Sequence, residues 1–476
     1  MAIDTTELYK ESINASTRKF KPKVEIFLFG TEEEPIIFDE NDIETITLLE
    51  EASMEGASPL GAVSSNELVI VLRNDDNYFT PTYQDSPYYG RMVPDIKVVA
   101  ELGIEVEPES FEYIPLGEFM TSDWSSPSQS IFATVVCHDR IHRLVSRDIP
   151  MIAIQNNTNV GKMFELLFEG LGIDSEDYHI DQDVYSTSIR WGWFPTGKVG
   201  QAFSLLSVAG NCTVSIDRLN KIRVSTNVRG GDATHMFDDV GQIFAAENPQ
   251  RYANVYSGVN IKYYNTSIGD VETVLNHNDI TIRSGRTVLR NVSFSKIPVV
   301  TIVRVALIGA KNAYISDITY GASSITVEIQ NPGSEEEASL EVQGRVIETY
   351  APVWSRVDSE AQAIVGEKDL DIDNFLIQSE SIASAFGNEL LWYVTDPRAI
   401  FELQVRGDAS LEVNDPLLIV NPSDKIGEEL IFVTRSQLRY DGGLSGTVQG
   451  RKIKIPHYWS MVCPGMFIYA PRPINY

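Results

Sequence analysis

The chain has 476 residues, with 38 Lys and Arg against 67 Asp and Glu, and a formal net charge of −29. A hydrophobic fraction of 43%, with 20 Tyr and 20 Phe, excludes disorder over the bulk of the chain, and this length predicts roughly two to four domains. The acidic balance disfavours sequence-specific nucleic acid binding, because a polyanion would approach against a repulsive field.

Neither a membrane-spanning helix nor a secretory signal is recognisable. Even the apolar run 297–310 is broken by Arg304, whereas a spanning helix needs roughly 18 uncharged apolar residues, so we expect no membrane insertion. Residues 1–20 include acidic side chains and lack an apolar core, which predicts folding in a cytoplasm. The three cysteines, Cys137, Cys212 and Cys463, are far apart and odd in number, and are expected to be small buried side chains.

The first part of the chain carries strand signals. Strands are predicted at 24–29, 43–48, 68–72, 96–102, 113–122 and 131–138. The β-branched segment 68–72 fits a strand that is buried on both faces. The residues from 74 to 90 are rich in turn formers and predict a long ordered surface loop. We therefore expect one antiparallel β domain over 20–147, preceded by an N-terminal arm, 1–19.

Helical periodicity begins after residue 156. Thr158 or Asn159 can cap a helix with one apolar face, and Gly170 and Gly172 supply its stop. A second helix is predicted over 198–209, ending at Gly210 because glycine adopts the left-handed conformation freely. The segments 212–216 and 221–224 then flank a turn and predict a hairpin. Residues 148–226 are expected to form a small α+β domain.

Strands return in the last part of the chain. They are predicted at 254–264, 301–307, 325–329, 341–350, 401–405, 417–420 and 430–440, and a helix is predicted at 379–393, before Pro397. Residues 456–476 are aromatic and proline-rich and are expected to form a C-terminal arm, packed on its own domain or docked on a neighbouring subunit.

The motif closest to a nucleotide site is GWFPTGKV at 192–199. It has the phosphate-loop spacing, but Val199 lacks the hydroxyl that would bind magnesium, and Trp193 and Phe194 would fill the phosphate space. We interpret it as a strand end, a turn and a helix start.

Other catalytic and metal motifs are incomplete. Cys137, His138 and His142 lack a further ligand cluster, and the segment NDDN at 74–77 lacks the glycine and the distal glutamate of a calcium loop. No GxSxG elbow is present, and no carboxylate pair can be selected among 67 acids without geometry. The sequence therefore names no catalytic, cofactor-binding or metal-binding residue, and we expect no enzyme and no cofactor.

Three segments together resemble the hub module of phage tail-tip and baseplate proteins, a family related to the spike base of type VI secretion systems. The first comprises NEL at 66–68, NYFTP at 77–81, SPYYG at 86–90, IPLGEF at 114–119 and DR at 139–140. The second spans 199–224 and includes AGN at 209–211 and RLNKI at 218–222. The third comprises LEVNDP at 411–416 and VTRSQLRYDGGL at 433–444.

The resemblance implies a predominantly β, α+β fold with two β-barrel-like hub domains and a small α+β domain between them. Under this interpretation the first barrel is 20–147, and the second is 227–264 together with 346–455, including the helix at 379–393. Residues 265–345 exceed what the second barrel requires and are expected to form an inserted peripheral β domain.

The function that the resemblance implies is structural. Such a hub is a homotrimer that adapts a sixfold tail tube to a threefold tip and lines or closes the DNA channel. Its partners would be its own copies, the tail tube, distal tail or baseplate proteins, the tape measure protein and a tip or spike protein. It would lie at the tail tip or baseplate of a virion and be made in the cytoplasm of a bacterial host.

Two alternatives remain open at this point. One is a cell-wall hydrolase, which would need paired carboxylates in a surface groove. The other is a receptor or carbohydrate-binding protein, which would need Trp124, Trp191 or Trp193 exposed along a shallow groove.

Overall fold

The computed structural model describes residues 3–31, 33–52, 63, 65–128, 130–226, 233–238, 241–247, 252–396, 400–421 and 427–452. The predicted C-terminal arm 456–476 and Cys463 lie outside the described residues. Strands make up 51% of the structure and helices 17%, which confirms the predicted α+β, predominantly β class. The division into domains and barrels stays a prediction.

A short helix and seven strands form the first part of the chain. They are α1 (Glu7–Asn14), β1 (Phe20–Ile26), β2 (Ile36–Phe38), β3 (Ile43–Glu51), β4 (Glu67–Arg73), β5 (Lys97–Glu107), β6 (Ser110–Ser125) and β7 (Phe132–His138). In β4, Leu68 and Ile70 are fully buried but Val69 is only partly buried. The prediction that this strand is buried on both faces is therefore wrong, because its apolar residues cover one core only.

The segment between β4 and β5 is a succession of turns, as predicted. Asn74 is buried, and its side-chain oxygen accepts the N–H of Phe79 at 2.8 Å. Phe79 stacks on Tyr88 with 5.3 Å between ring centroids, and both rings pack against the first core. The loop is thus ordered by side chains that the turns direct inward.

The α+β part contains α2 (Arg140–Leu144), β8 (Gln155–Asn159), α3 (Val160–Leu171), β9 (Tyr178–Ile180), β10 (Ser188–Gly192), α4 (Val199–Gly210), β11 (Cys212–Ile216) and β12 (Ile222–Thr226). Two 3-10 turns, Ser175–Asp177 and Gln182–Ser186, complete it. The strands form the sheets β11-β12-β9 and β10-β8. Helices α3 and α4 pack together over a common apolar core.

The ends of these two helices follow the predicted signals with two corrections. Asn159 caps α3 by accepting the N–H of Lys162 at 2.9 Å. Gly172, with φ +74°, ends that helix, whereas Gly170 lies inside it. Asn211, not Gly210, adopts the left-handed conformation after α4, with φ 47°. Gly210 is instead required for packing, since a Cβ there would lie 2.9 Å from Val160.

A six-stranded unit interrupts the last part of the chain. The preceding strands are β13 (His235–Asp238), β14 (Ile243–Glu247) and β15 (Gly258–Lys262), and a 3-10 turn spans Tyr252–Asn254. The unit consists of β16 (Asn265–Ile282), β17 (Gly285–Ser293), β18 (Val299–Ile308), β19 (Tyr314–Tyr320), β20 (Ser324–Asn331) and β21 (Glu336–Tyr350). Its two sheets, β16-β21-β18 and β17-β20-β19, enclose a separate apolar core. Its first and last residues, Asn265 and Tyr350, are paired neighbours.

The chain closes with β22 (Val353–Val357), α5 (Ser359–Val365), β23 (Asp369–Asp373), α6 (Glu380–Val394), β24 (Ile400–Val405), β25 (Pro416–Asn421), β26 (Gly427–Tyr440) and β27 (Leu444–Lys452). Strands β22, β15 and β23 form one sheet, and α6 packs on β15 and β22. Ser379 caps α6 by accepting the N–H of Ile382 at 3.3 Å.

A single 13-stranded sheet joins the first and last parts of the chain. Its order is β14-β24-β27-β26-β3-β4-β7-β6-β5-β1-β2, with β13 and β25 attached beside β26. The first half of β26 pairs with β25, and its second half pairs with β3 from Arg435↔Glu51 to Tyr440↔Ile46. Strand β26 therefore contributes to two apolar cores, with Ile431 in one and Leu438 in the other.

Candidate functional site

The phosphate-loop-like segment forms no nucleotide cradle. Phe194 is buried at 3% exposure, and Trp193 stacks on Phe375 with 4.3 Å between ring centroids. The Lys198 ammonium lies 2.7 Å from the carboxylate of Asp148. Aromatic packing and an ion pair thus occupy the residues that a phosphate site would use, in agreement with the interpretation as a strand end and helix start.

The cysteine and histidines near residue 140 do not converge on a common point. Cys137 points into the first core, while His138 follows it in β7 and faces the opposite side. His138 and His142 stack with 4.3 Å between ring centroids, and the pKa of His138 is lowered by burial and by His142. Within the described residues, no three His, Cys, Asp or Glu side chains are grouped so as to hold a metal ion.

The tryptophans considered for carbohydrate binding do not form an exposed row. Trp191 is buried at 8% exposure, Trp124 packs against the first core, and Trp193 is covered by Phe375. The shallow aromatic groove that this alternative requires is therefore not formed by these three residues.

Of the helices that the structure describes, none has the length and apolarity needed to cross a membrane.

The structure instead gathers charged residues in its interior, at the meeting point of four chain segments. We call this cluster the polar junction; it consists of Tyr9, Glu50, Arg218, Asp408, Ser410, Glu412 and Asp415. All seven are less than 10% exposed. They come from helix α1, strand β3, the turn between β11 and β12, and the segment before β25.

Arg218 is the centre of the polar junction. Its Nε donates to Glu50 Oε1 at 2.9 Å, and its Nη2 donates to Glu50 Oε2 at 2.7 Å. Its remaining side-chain donors reach the carbonyl of Ala409 and, at 2.8 Å, the carbonyl of Leu411. The backbone N–H of Arg218 donates to Glu412 Oε1 at 3.1 Å. The Arg218 side chain therefore joins strand β3 to the segment between β24 and β25.

Asp408 binds helix α1 to the polar junction. The Tyr9 hydroxyl donates to Asp408 Oδ1 at 2.9 Å, and the backbone N–H of Ser410 donates to the same oxygen at 2.9 Å. Nearby, Arg18 donates to the carbonyls of Gly407 at 2.9 Å and Arg406 at 2.8 Å. The predicted N-terminal arm is thus anchored by a buried tyrosine and an arginine.

A second buried carboxylate links the first sheet to the α+β part. Asp139 caps α2 by accepting the N–H of Ile141 at 2.9 Å, and it also accepts the N–H of Asn66 at 2.7 Å. The Asn66 amide donates to the carbonyl of Ile216 at 3.3 Å. Residues of the first and second segments that resemble tail hubs therefore contact one another through Asn66 and Ile216.

Burial dominates the titration of these carboxyls. Burial raises the pKa of Glu412 to about 7, although the neighbouring Arg218 guanidinium acts to lower it. Burial also raises the pKa of Asp139 to about 7, although three backbone N–H donors act to lower it. For Arg218, burial lowers the pKa, but the Glu50 carboxylate outweighs it and the net pKa is raised. Arg218 is consequently a cation at neutral pH.

Sequence reasoning missed the polar junction. The sequence predicts the turn 217–220, but a charged residue in a turn is normally exposed, and nothing within the turn marks Arg218 as buried. Its partners Glu50 and Glu412 are 168 and 194 residues away. The LEVNDP string that supported the resemblance does contain Glu412 and Asp415, so part of the signal was present.

Within the described residues, the large sheet has three terminal strands: β14 and β2 at the ends of its main order, and β13 on the branch beside β26. Phe244 on β14 is 68% exposed, and Ile37 on β2 is 57% exposed. Met236 on β13, the terminal strand of the branch, is 60% exposed. Apolar side chains at open sheet edges are typical of surfaces that another chain covers.

Comparison with known proteins gave similar structures but no similar sequence. No protein-family model matches the chain, and no curated protein matches it either. A 43 kDa tail protein of prophage MuSo2 from Shewanella oneidensis is 11% identical, with 91% of this chain and 98% of that chain covered and a TM-score of 0.49. A tail protein from Neisseria meningitidis MC58 is 7% identical, with 91% and 96% covered and a TM-score of 0.49.

A third similar structure is a Francisella PdpA-VgrG complex. It is 10% identical, 96% of this chain and 60% of that chain are covered, and the TM-score is 0.43. These structural neighbours are phage tail and VgrG-related proteins.

Proposed function

We propose that the chain is a structural virion protein, the central hub of a phage tail tip or baseplate. In this proposal three copies assemble into a ring that adapts a sixfold tail tube to a threefold tip and lines or closes the DNA channel. The partners are then the tail tube, distal tail or baseplate proteins, the tape measure protein and a tip or spike protein. The protein is made in the cytoplasm of a bacterial host and acts without enzymatic activity.

The observation that carries this proposal is the pairing of β26 with β3. It unites two apolar cores, which are distant in sequence, in one continuous sheet. The buried ion pair of Glu50 and Arg218 fixes the α+β part to the same joint. A rigid joint between modules suits a protein that transmits position between assemblies, whereas an enzyme would need a cleft with grouped reactive side chains.

The open edges of the sheet support self-assembly. Strand β14 with Phe244 lies at one end and strand β2 with Ile37 lies at the other. A ring of identical subunits joined head to tail would cover both edges at every interface. Three copies form a closed ring if each interface relates neighbouring subunits by one third of a full rotation.

The acidic composition supports passage of DNA through such a ring. A charge of −29 on each chain makes a wall that repels the phosphate backbone, so that DNA passes without adhering.

The proposal is tested by the mass of the purified chain in solution. Light scattering after size exclusion, at two protein concentrations, should give about 159 kDa, which is three times the 53.1 kDa of one chain. Negative-stain images of the same sample should show threefold rings with a central opening. A monomer or an open filament at both concentrations, with or without added tail-tube protein, would contradict the trimeric hub.

A further inference from the structure

A cleft of about 540 Å³ lies where the first sheet meets the α+β part. Its walls come from β6, from helix α2 with the turn after it, and from the end of α3. Three arginines, Arg140, Arg143 and Arg147, line it together with a single acidic residue, Asp177. In a chain with nearly twice as many acidic as basic residues, this concentration of guanidinium groups is unusual.

Local structure places the three arginines on one side. Asp139 caps α2 and fixes the start of the helix, which begins at Arg140. The turn after the helix is closed by the N–H of Arg147, which donates to the carbonyl of Leu144 at 3.1 Å. Arg143 on α2 and Arg147 in the turn after it both line the cleft.

The arginines retain unused donor capacity. Arg140 lies 3.5 Å from the Asp177 carboxylate, yet its buried Nε has no acceptor among the described residues. Arg143 is 51% exposed and pairs with Asp95. Arg147 donates only to the carbonyl of Leu171, at 3.3 Å, and meets no carboxylate in the described part of the chain. The cleft therefore keeps a net positive charge after the ion pairs of Arg140 with Asp177 and of Arg143 with Asp95 are counted.

Apart from Ser146, the rest of the lining has no polar side chain. Met120, Leu144, Leu171 and Ile173 contribute to the same cleft. A small inorganic anion would satisfy the guanidinium groups but leave this surface uncovered. Nucleic acid would bring a continuous phosphate backbone and no aliphatic side chain to cover this surface. A peptide segment that combines carboxylates with one large apolar side chain satisfies both halves of the cleft.

We propose that this cleft is a docking site for an acidic peptide segment of a partner protein. Its carboxylates bind Arg143 and Arg147, and an adjacent apolar side chain covers Met120, Leu144 and Ile173. The inference goes beyond the proposed hub function and does not depend on the number of copies in the assembly. It specifies the chemistry of the partner that binds this surface of the chain.

The test uses the full chain and a labelled peptide in which two Glu-Glu pairs flank a leucine. Fluorescence anisotropy at low salt should show binding that weakens as salt rises, because guanidinium–carboxylate contacts are screened. The double variant Arg143→Gln with Arg147→Gln should weaken binding by about tenfold or more. Both side chains are exposed, so the variant is expected to fold, which circular dichroism would verify.

A matched control replaces two exposed arginines elsewhere, Arg283→Gln with Arg304→Gln, and should leave binding within about twofold. The same peptide with every Glu replaced by Gln should not bind, and inorganic phosphate should compete only weakly. No binding of the acidic peptide up to about 1 mM, equal binding by both double variants, or competition by phosphate as strong as by the peptide would each overturn the proposal. The solution mass of the same samples reports separately on the trimer.

Discussion

Glu50 and Arg218 are 168 residues apart in sequence, yet they form a bidentate ion pair whose side chains are 2% and 1% exposed. This pair joins strand β3 of the large sheet to the turn of the α+β part. Because Arg218 also binds the carbonyl of Leu411, three distant parts of the chain depend on one guanidinium group.

Removing one member of this pair should be strongly destabilising. Arg218→Met leaves the Glu50 carboxylate buried without its cation, and we expect a loss of about 3–5 kcal/mol in the free energy of unfolding. Urea denaturation followed by tryptophan fluorescence measures it. The double variant Glu50→Leu with Arg218→Met removes both members of the pair and should recover at least half of the loss. A loss below about 1 kcal/mol in the single variant would show that the pair is not essential to the joint.

The packing of α6 on its sheet gives a second prediction. Gly387 lies on α6, and a Cβ at that position would overlap the ring of Trp354 on β22. Gly387→Ala should therefore force the helix outward and destabilise the protein by about 1–3 kcal/mol, measured by urea denaturation. Gly443→Ala is the matched control, because a Cβ there meets open space. Equal effects of the two substitutions would contradict the close approach of the helix and the tryptophan.

The buried carboxyl of Glu412 predicts a dependence of stability on pH. Its folded pKa of about 7 lies above the usual 4.5, mainly because of burial, with Arg218 opposing and Glu50 and Asp415 adding to the shift. The protonated Glu412 carboxyl stabilises the folded state. This contribution is complete below about pH 4.5 and is lost as pH rises through about 7. Wild type should thus lose up to about 3 kcal/mol more than Glu412→Gln between pH 4.5 and pH 8.

Urea denaturation of both proteins across this pH range measures the difference. Asp139, whose pKa is also raised to about 7, is present in both proteins and contributes the same slope to each. His138 contributes in the opposite direction below about pH 6.5, again equally in both, because its pKa is lowered in the folded state. Parallel curves for wild type and Glu412→Gln would refute a raised pKa at this residue.

The edge strand β14 provides a prediction about assembly. Phe244 is 68% exposed at the end of the large sheet, so Phe244→Glu should place a charge inside any interface formed there. We expect the solution mass to fall from that of a trimer to that of a monomer without a change in circular dichroism. Leu219→Glu is the matched control, since Leu219 is 67% exposed in a turn of the α+β part and should leave the trimer intact. A trimer that survives Phe244→Glu would exclude this edge as the interface.

The sequence by itself determined much of the local structure. The amide of Asn159 and the flexibility of Gly172 set the two ends of α3, and the turn formers after Ile216 set the hairpin of β11 and β12. These signals act over a few residues, so they are readable without knowledge of the fold. The predominantly β, α+β class followed from the same kind of local signal.

Only the tertiary structure decided which polar residues are buried and which strands are neighbours. The turn that contains Arg218 looks the same whether its arginine faces solvent or Glu50, and the pairing of β26 with β3 has no local signature. The arginine cleft likewise needs Met120, Arg147 and Ile173 to be brought together from three elements. Burial and long-range pairing depend on how the whole chain packs, and this is the physical reason that the local pattern did not predict them.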